Sequence, residues 1–507
     1  MSMVKRSISS KIYNVNNLKE ILRKNNPDKS IGLCHGVFDV LHAGHIKHFE
    51  ECSKLVDVLI VSVTSDIYVN KGPGRPINKS ISRKETLAGI EYIDFVVDSN
   101  SNSAKEIIDI LKPQIYFKGK DYTDVDPNLD SSISINLKAE ISAIKKYGGT
   151  LHYTSAELKS SSTIINSALT HDAHLRNKLN KYTLKSNIQN LLDQISNLRI
   201  SILGEIIQDK FIYTESLGKS SKHPLIAEKE IACEDFQGGV LPVIKTYETF
   251  INPKKLNLVS IHDSGNIPSI NSNLEYLVID KSYKNILKTR FINKKTNTFM
   301  YEKYDFDDEY ISSVSEKMLM DGLKKLSSKC DLLVVLDFGH GLITNSIRDY
   351  ICQNFSNIAL NVQKNAGNKG FNSVTKYKSA SVVVLNGEEV ELEFKQKRMK
   401  LEESVEILRK KMSSKIFAIT DGANGLIITD GKTIEKIPAL TPNSIKDRTG
   451  AGDAAFAIIS LFSQVTDDIL LLGYLGNLAA AMNLTWVANQ NVISKHDLIR
   501  FLEFALK

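Results

Sequence analysis

The sequence predicts an α/β protein made of two parallel-sheet units in series, and three observations predict it. Short continuous apolar runs alternate with helical periodicity from about Ser30 to Leu169, and a second series of this kind begins at Arg199. At 507 residues the chain exceeds one ordinary hydrophobic core, so two or three domains are expected. In the first half a histidine-rich turn at 35–45 joins an apolar strand to a helix, and in the second a glycine-containing run at 447–456 leads into an apolar helix. Such alternation requires crossover helices on a parallel sheet, and ligands then bind at the carboxyl ends of the strands.

In the first half, strands are expected near 31–34, 58–63, 94–97, 114–118 and 150–153. Ile31-Gly32-Leu33-Cys34 reads as the end of a buried strand, and Ile46 to Leu55 has helical periodicity, which puts His42 and His45 on the first turn of that helix. Residues three apart share a helix face, and the unpaired amides and positive dipole end of a first turn attract an anion. Two imidazoles there, after the turn His35-Gly36-Val37-Phe38-Asp39, make a tool for holding a nucleotide's triphosphate. Nucleotidyl transfer asks for little more, since a substrate phosphate attacks the α-phosphate without a strong base and catalysis is positioning plus charge stabilisation.

This segment resembles the signature of the cytidylyltransferase-like nucleotidyltransferases, whose HxGH motif falls on His42 to His45. Later stretches agree in order. Lys71-Gly72-Pro73-Gly74-Arg75 resembles the family's substrate and phosphate clamp, Lys118-Gly119-Lys120-Asp121-Tyr122 its KGxDY element, and Ser160-Ser161-Ser162-Thr163 the STT element that opens its last helix. The resemblance implies nucleotide or phosphate contacts at His35, Phe38, Lys71, Lys118, Ser160, Ser161 and Ser162, and a substrate contact at Arg75. Ser155 stands where glycerol-3-phosphate cytidylyltransferases have an arginine, whereas Glu157 matches a glutamate of heptose-phosphate adenylyltransferases, which tilts the expectation toward a sugar 1-phosphate.

From Thr170 to about Asn197 the chain becomes polar, with Ile188, Leu191, Leu192 and Ile195 as one apolar stripe, and reads as a connector holding a short amphipathic helix. The expected division is therefore 1–170, a linker 171–197, and 198–507. Residues 126–136 and 216–224 are polar enough to be expected as mobile loops.

The second half carries Asp447-Arg448-Thr449-Gly450-Ala451-Gly452-Asp453 ahead of an apolar helix. Glycines there admit close backbone approach to a phosphate, the helix start supplies an anion hole, and Asp453 is placed to take a proton from a substrate hydroxyl. The run resembles the DTxGAGD signature of ribokinase-type sugar kinases, with Asp453 in the position of the catalytic base. Gly204-Glu205 and Asp209 resemble that family's first strand and sugar-contacting aspartate. Gly238 and Gly239 resemble its glycine pair, Asn386 and Glu389 its NxxE element, and Thr420-Asp421-Gly422 its nucleotide-side turn. Leu287–Ile292 and Tyr301–Phe306 resemble the lid strands of heptose-7-phosphate kinases. The resemblance implies ATP and phosphate contacts at Asn386, Glu389, Thr420, Gly422, Gly450, Ala451 and Gly452, sugar contacts at Asp209, Gly238 and Gly239, and Mg²⁺ organised by Glu389. His340 replaces the family's usual lysine, Glu205 an aspartate, and Gln237-Gly238-Gly239-Val240-Leu241-Pro242 a small-residue asparagine run.

A hydrophobic fraction of 42% and a charged fraction of 24% are those of globular proteins. The net charge of +7 is spread along the chain, which suits phosphorylated metabolites and excludes a nucleic-acid partner. Five cysteines without CxxC spacing argue against a disulfide framework or a zinc site and for a reducing compartment. No run approaches the roughly twenty apolar residues of a membrane span, so a cytoplasmic protein is expected. Together the resemblances imply a Rossmann-like nucleotidyltransferase domain followed by a ribokinase-like domain with a small β lid. The expected activity is that of a sugar-phosphate kinase joined to a sugar-1-phosphate nucleotidyltransferase, which with ATP or CTP makes a nucleotide-activated, heptose-like sugar for surface polysaccharide synthesis. The order of halves is reversed relative to the bifunctional enzymes it resembles, and the alternative is an active transferase with a non-catalytic kinase-like binding or dimerisation module. A homodimer is expected by analogy with lid pairing.

Overall fold

Runs that are apolar at every position become central strands, because a parallel strand covered by helices on both faces has no solvent side. A computed structural model of the chain describes residues 7–25, 28–69, 75–119, 132–155, 178–179, 185–263, 265, 269–307, 310–368, 370–440, 442 and 445–506. Within it two compact units are distinguished, Met1–Ala173 with Phe504–Lys507, and His174–Glu503.

The first unit holds β1 (Ile12–Tyr13), β2 (Ile31–Gly36), β3 (Val58–Thr64), β4 (Phe95–Ser99), β5 (Ile115–Lys118) and β6 (Thr150–Tyr153). All pair in parallel, in the order β1-β4-β3-β2-β5-β6. Every residue of β3 is buried, as its apolar run requires. The order turns back on itself at β2, so the crevice between the ends of β2 and β5 is the topological switch point where ligands bind in such sheets.

The second unit is built on β7 (Ile200–Gly204), β8 (Ile206–Lys219), β9 (Ile226–Gly239), β10 (Leu256–His262), β11 (Leu277–Ile279), β12 (Ile286–Asn293), β13 (Thr298–Asp305), β14 (Leu332–Asp337), β15 (Ile358–Val362), β16 (Val382–Asn386), β17 (Ile416–Thr420), β18 (Leu426–Thr429) and β19 (Ile434–Ile437). Nine of these form one sheet, β11-β10-β7-β14-β15-β16-β17-β18-β19, parallel as far as β17 and antiparallel beyond it. The other four form the lid sheet β13-β12-β8-β9, in which β12 and β13 are the two expected lid strands. Helices Ala451–Phe462 and Ile469–Asn483 are apolar nearly all round and accordingly buried nearly all round.

Two loop expectations are corrected. Residues 216–219 continue β8, where Ser216 and Gly218 pair with Glu228 and Ala227 of β9, so polar residues there lie on a long antiparallel ribbon that extends into solvent. Residues 132–136 open the helix Ser132–Lys146, while 126–131 lie outside the described residues. The connector stripe behaves as its period implies: Lys185–Ile195 is helical, with Ile188, Leu191, Leu192 and Ile195 buried.

Candidate active sites

In the first unit, His42 is the N-cap of the helix Ala43–Ser53. Its Nδ1 accepts from the Gly44 amide at 3.2 Å, and His45 Nδ1 accepts from the His42 amide at 3.4 Å. Each ring therefore spends Nδ1 as an acceptor and carries its proton on Nε2, which makes both imidazoles donors suited to phosphate oxygens. Their ring centroids are 4.0 Å apart, on the anion-attracting turn that the spacing predicts. Phe38, with φ of 50°, turns its ring against His45 and Phe49 at 5.7 and 5.4 Å. It thereby buttresses His45.

His35 closes β2 and pairs with Ser62 Oγ at 2.8 Å. Burial, and then the nearby Lys118 charge, lower its pKa to about 4, so it is a neutral ring at pH 7. Lys118, at the end of β5, forms a buried ion pair with Glu140 at 3.1 Å, and Glu140 also accepts from Tyr116 and the Ala104 amide. Arg75 lies 3.6 Å from Asp39, whose carboxylate takes the Ile77 and Asn78 amides. Ser155 binds Glu51 through its amide and hydroxyl, each at 3.0 Å. Lys71, Glu157, Ser160, Ser161 and Ser162 lie outside the described residues.

Sequence reasoning passed over Arg83. Its guanidinium is fully buried and donates to the carbonyls of Val37, Asn78 and Thr64 and to Asp66, tying the turn after β2 to the end of β3. A lone arginine in a helical run carries no local signal of this role.

In the second unit the expected residues collect at the carboxyl edge of the nine-stranded sheet. Gly450 is the N-cap of the helix Ala451–Phe462, with φ of 83°, and a Cβ on it would collide with Asn489 Oδ1, so only glycine fits. Ala451, Gly452 and Asp453 form the first turn, and Asp453 accepts a hydrogen bond from Gln363 Nε2. Burial raises the Asp453 carboxyl to about 6. Gln363 follows β15 directly and was not singled out from sequence, although its place at a strand's carboxyl end is the signal that marks it.

Asn386 and Thr420 end β16 and β17 as register partners. Asn386 caps the helix Gly387–Phe394 in a reciprocal box with Glu389, which also takes the Lys364 amide at 3.0 Å. Burial pushes Glu389 up to about 7. Gly422, with φ of 51°, lies in the turn after Thr420. On the lid side, Asp209 accepts from Arg290 Nη1 at 2.5 Å, and Arg290 also binds Glu302. A Cβ at Gly238 would collide with Asp209 Oδ2, and Gly239 has φ of 63° against the Glu205 carbonyl. Thus Asp209, Gly238 and Gly239 do meet, but with Arg290 already on the carboxylate. Lys288 is buried beside the rings of Tyr304 and Phe338, and burial lowers its pKa against the opposing charges of Asp209, Asp453 and Glu302. Glu205 accepts the Phe338 and His340 amides, and burial with the adjacent Asp337 charge pushes it up to about 7.

With this geometry in place, comparison with known proteins adds the class. Residues 33–167 match the cytidylyltransferase-like family and residues 351–485 the pfkB family of carbohydrate kinases. The chain thus carries a cytidylyltransferase-like nucleotidyltransferase domain followed by a pfkB-type carbohydrate kinase domain. More particularly, it is similar to proteins named Bifunctional protein HldE: that of Campylobacter jejuni (strain RM1221) is 41% identical over 134 residues, covering 25% of this chain and 29% of the relative. That of a Nitratiruptor species is 45% identical over 96 residues, covering 18% and 21%. The matches therefore span less than a third of those relatives' length. Among solved structures, phosphofructokinase-2 from Escherichia coli in complex with potassium aligns at TM-score 0.48 and 12% identity over 61% of this chain and 99% of that one. Arabidopsis thaliana ribokinase complexed with ribose and ATP aligns at 0.48 and 11% over 60% and 98%.

Proposed function

We propose that the chain is a bifunctional enzyme: one part transfers a phosphoryl group from ATP to a heptose-like sugar phosphate, giving a sugar bisphosphate and ADP, and the other joins a sugar 1-phosphate to a nucleotide with release of pyrophosphate, for surface polysaccharide synthesis. A separate phosphatase has to hydrolyse the other phosphate between the two steps. The observation that carries it is the presence of two separate phosphate-handling helix starts, each at the carboxyl edge of its own parallel sheet: His42 and His45 on one, Gly450 to Asp453 on the other. The boundary between the two catalytic parts is assigned to the connector 171–197.

In the kinase step Asp453 takes the proton of the sugar hydroxyl, and a carboxyl raised to about 6 is well matched to that task near neutrality. The first-turn amides of Gly450 to Gly452 hold the transferred phosphoryl group. Glu389 is a buried carboxyl that burial and the nearby Asp453 charge hold above its ordinary range, an electronegative setting that fits a divalent cation. Mg²⁺ near Glu389 supplies neutralisation of the ATP phosphates when bound. Asn386, Thr420 and Gly422 line the nucleotide side. In the transfer step the Nε2–H groups of His42 and His45, with Lys71 and Ser160 to Ser162, hold the triphosphate while the sugar phosphate attacks the α-phosphate. Lys118 and neutral His35 set the field at the crevice. The donor base is ATP or CTP, the protein works in the cytoplasm, and two copies pair through their lids.

A second reading has one observation in its favour: Arg290 occupies Asp209, the sugar-contacting position. On that reading the second unit binds without turning over. Mass spectrometry of products after incubation with ATP, CTP and a panel of sugar phosphates tests both. A sugar bisphosphate is expected from a sugar phosphate with ATP, and a nucleotide sugar with pyrophosphate from a sugar 1-phosphate; a nucleotide sugar without sugar bisphosphate from any sugar phosphate selects the second reading, and no pyrophosphate with any pair sinks the transferase assignment.

A further inference from the structure

The cysteines show no metal-binding spacing along the chain, yet the fold of the first unit gathers two of them around a histidine. Cys34 lies near the end of β2, immediately before His35, while His48 and Cys52 are four apart on the helix Ala43–Ser53 and so share a face. All three are buried. Cys34 Sγ is 3.7 Å from Cys52 Sγ and 3.5 Å from His48 Nε2, and Cys52 Sγ is 3.8 Å from the same nitrogen.

Those three lengths have a geometric meaning. With metal–sulfur bonds of about 2.3 Å and a metal–nitrogen bond of about 2.05 Å, tetrahedral angles separate two sulfurs by about 3.8 Å and a sulfur from a nitrogen by about 3.6 Å. The three atoms are therefore within reach of a single ion, although Cys52 Sγ is also 3.9 Å from His48 Nδ1 and so lies beside the ring, from where it must swing toward the Nε2 lone pair to complete one face of a tetrahedron. The histidine is also oriented for the purpose: its Nδ1 pairs with Thr154 Oγ1 at 2.7 Å, and that hydroxyl is directed to the Lys118 carbonyl at 3.5 Å. The contact at Nδ1 fixes the ring's orientation, as the outer-sphere partner of a ligating histidine does, and leaves Nε2 as the nitrogen 3.5 Å from Cys34 Sγ.

We propose that Cys34, His48 and Cys52 form a buried Cys2His site for one thiophilic closed-shell cation, with Zn²⁺ as its probe. Two thiolates and an imidazole select such an ion over Mg²⁺ or Ca²⁺. Binding replaces the two thiol protons, which leave to solvent, with two metal–sulfur bonds, and no electron transfer is involved. The ion pins β2 at the residue before His35 to the helix that carries His45, one turn ahead of His48. Its role is to fix the transferase's phosphate-binding turn, and it takes no part in the chemistry. This inference does not depend on the proposed function.

The test uses the full chain, purified without metal-affinity steps, with metal content read by elemental mass spectrometry. About one equivalent of zinc or copper per chain is expected, falling about tenfold or more in Cys34→Ser and Cys52→Ala. Chelated protein given Co²⁺ under reducing conditions should show thiolate-to-cobalt charge-transfer absorption that the same variants lack. Circular dichroism checks that the variants fold, and the wild-type metal content and cobalt spectrum decide the matter even where they do not. Retention of less than about a tenth of an equivalent together with no cobalt–thiolate band overturns the proposal. So does a Cys34–Cys52 disulfide in the protein as isolated under reducing conditions.

Discussion

Asp453 illustrates how much one residue's environment decides. An aspartate at a helix start would ordinarily be held ionised by the dipole, but here burial outweighs that influence and the Gln363 hydrogen bond, and the carboxyl rises to about 6. A base must be deprotonated to act, so kinase kcat/KM is expected to climb with pH through about 6 and level off above it. Asp453→Asn should lower the rate by about 10²–10⁴-fold and abolish that limb; ADP release measured from pH 5 to 8 checks both. An unchanged profile in the variant would remove Asp453 from the base position. His35 shows the opposite sign. Its folded pKa of about 4 lies below the ordinary 6.5, so the unfolded chain takes up a proton first as pH falls. The stability held by the neutral ring is complete above about pH 6.5 and is lost as pH falls toward 4, by up to about 3 kcal/mol. His35→Gln should flatten the pH dependence of the melting temperature over that window.

At the scale of elements, the transferase site rests on a turn with little regular structure between β2 and the helix Ala43–Ser53, and Arg83 holds it from below. Replacing Arg83 with leucine strands the carbonyls of Val37, Thr64 and Asn78 and removes the ion pair with Asp66, which keeps only the Ser80 amide. A loss of about 3–5 kcal/mol is expected from breaking such a buried charged network. Chemical denaturation measures it, and pyrophosphate release should fall in parallel as the turn loosens. The lid is the corresponding element in the second unit: β8 carries Asp209, and the parallel register of β8 with β12 sets Lys210 opposite Thr289 and Phe211 opposite Arg290. That pairing brings Arg290 to the expected sugar contact, an outcome of strand register that the residues of β8 alone do not specify.

For the whole molecule, each proposed activity has its own sheet, its own helix start and its own expected phosphate-binding residues. The two activities are therefore expected to separate cleanly by mutation. His45→Ala should lower pyrophosphate release by about 10²-fold or more while ADP formation with a sugar phosphate stays within about twofold, and Asp453→Asn should do the reverse. Loss of both activities in either variant would mean that the units are coupled. Much of this organisation was legible in the sequence. The alternation of apolar runs with helical periods marked two sheets, and the turns at His42–His45 and Gly450–Asp453 marked both helix starts. Less legible were the directions in which Arg75 and Phe38 point and the continuation of β8 through a polar stretch, because each depends on neighbours far away in the chain.

By itself, then, the sequence determined what is local: two histidines three apart on one helical turn, a glycine where only a left-handed backbone fits, and strands buried on both faces. These follow from periodicity and backbone sterics within a few residues. The tertiary structure alone decided which distant groups meet: Gln363 on Asp453, Arg290 on Asp209, Arg83 beneath the turn, and Cys34 with His48 and Cys52. Such meetings are set by sheet order and register, which arise from packing the whole core and are not written in any one segment.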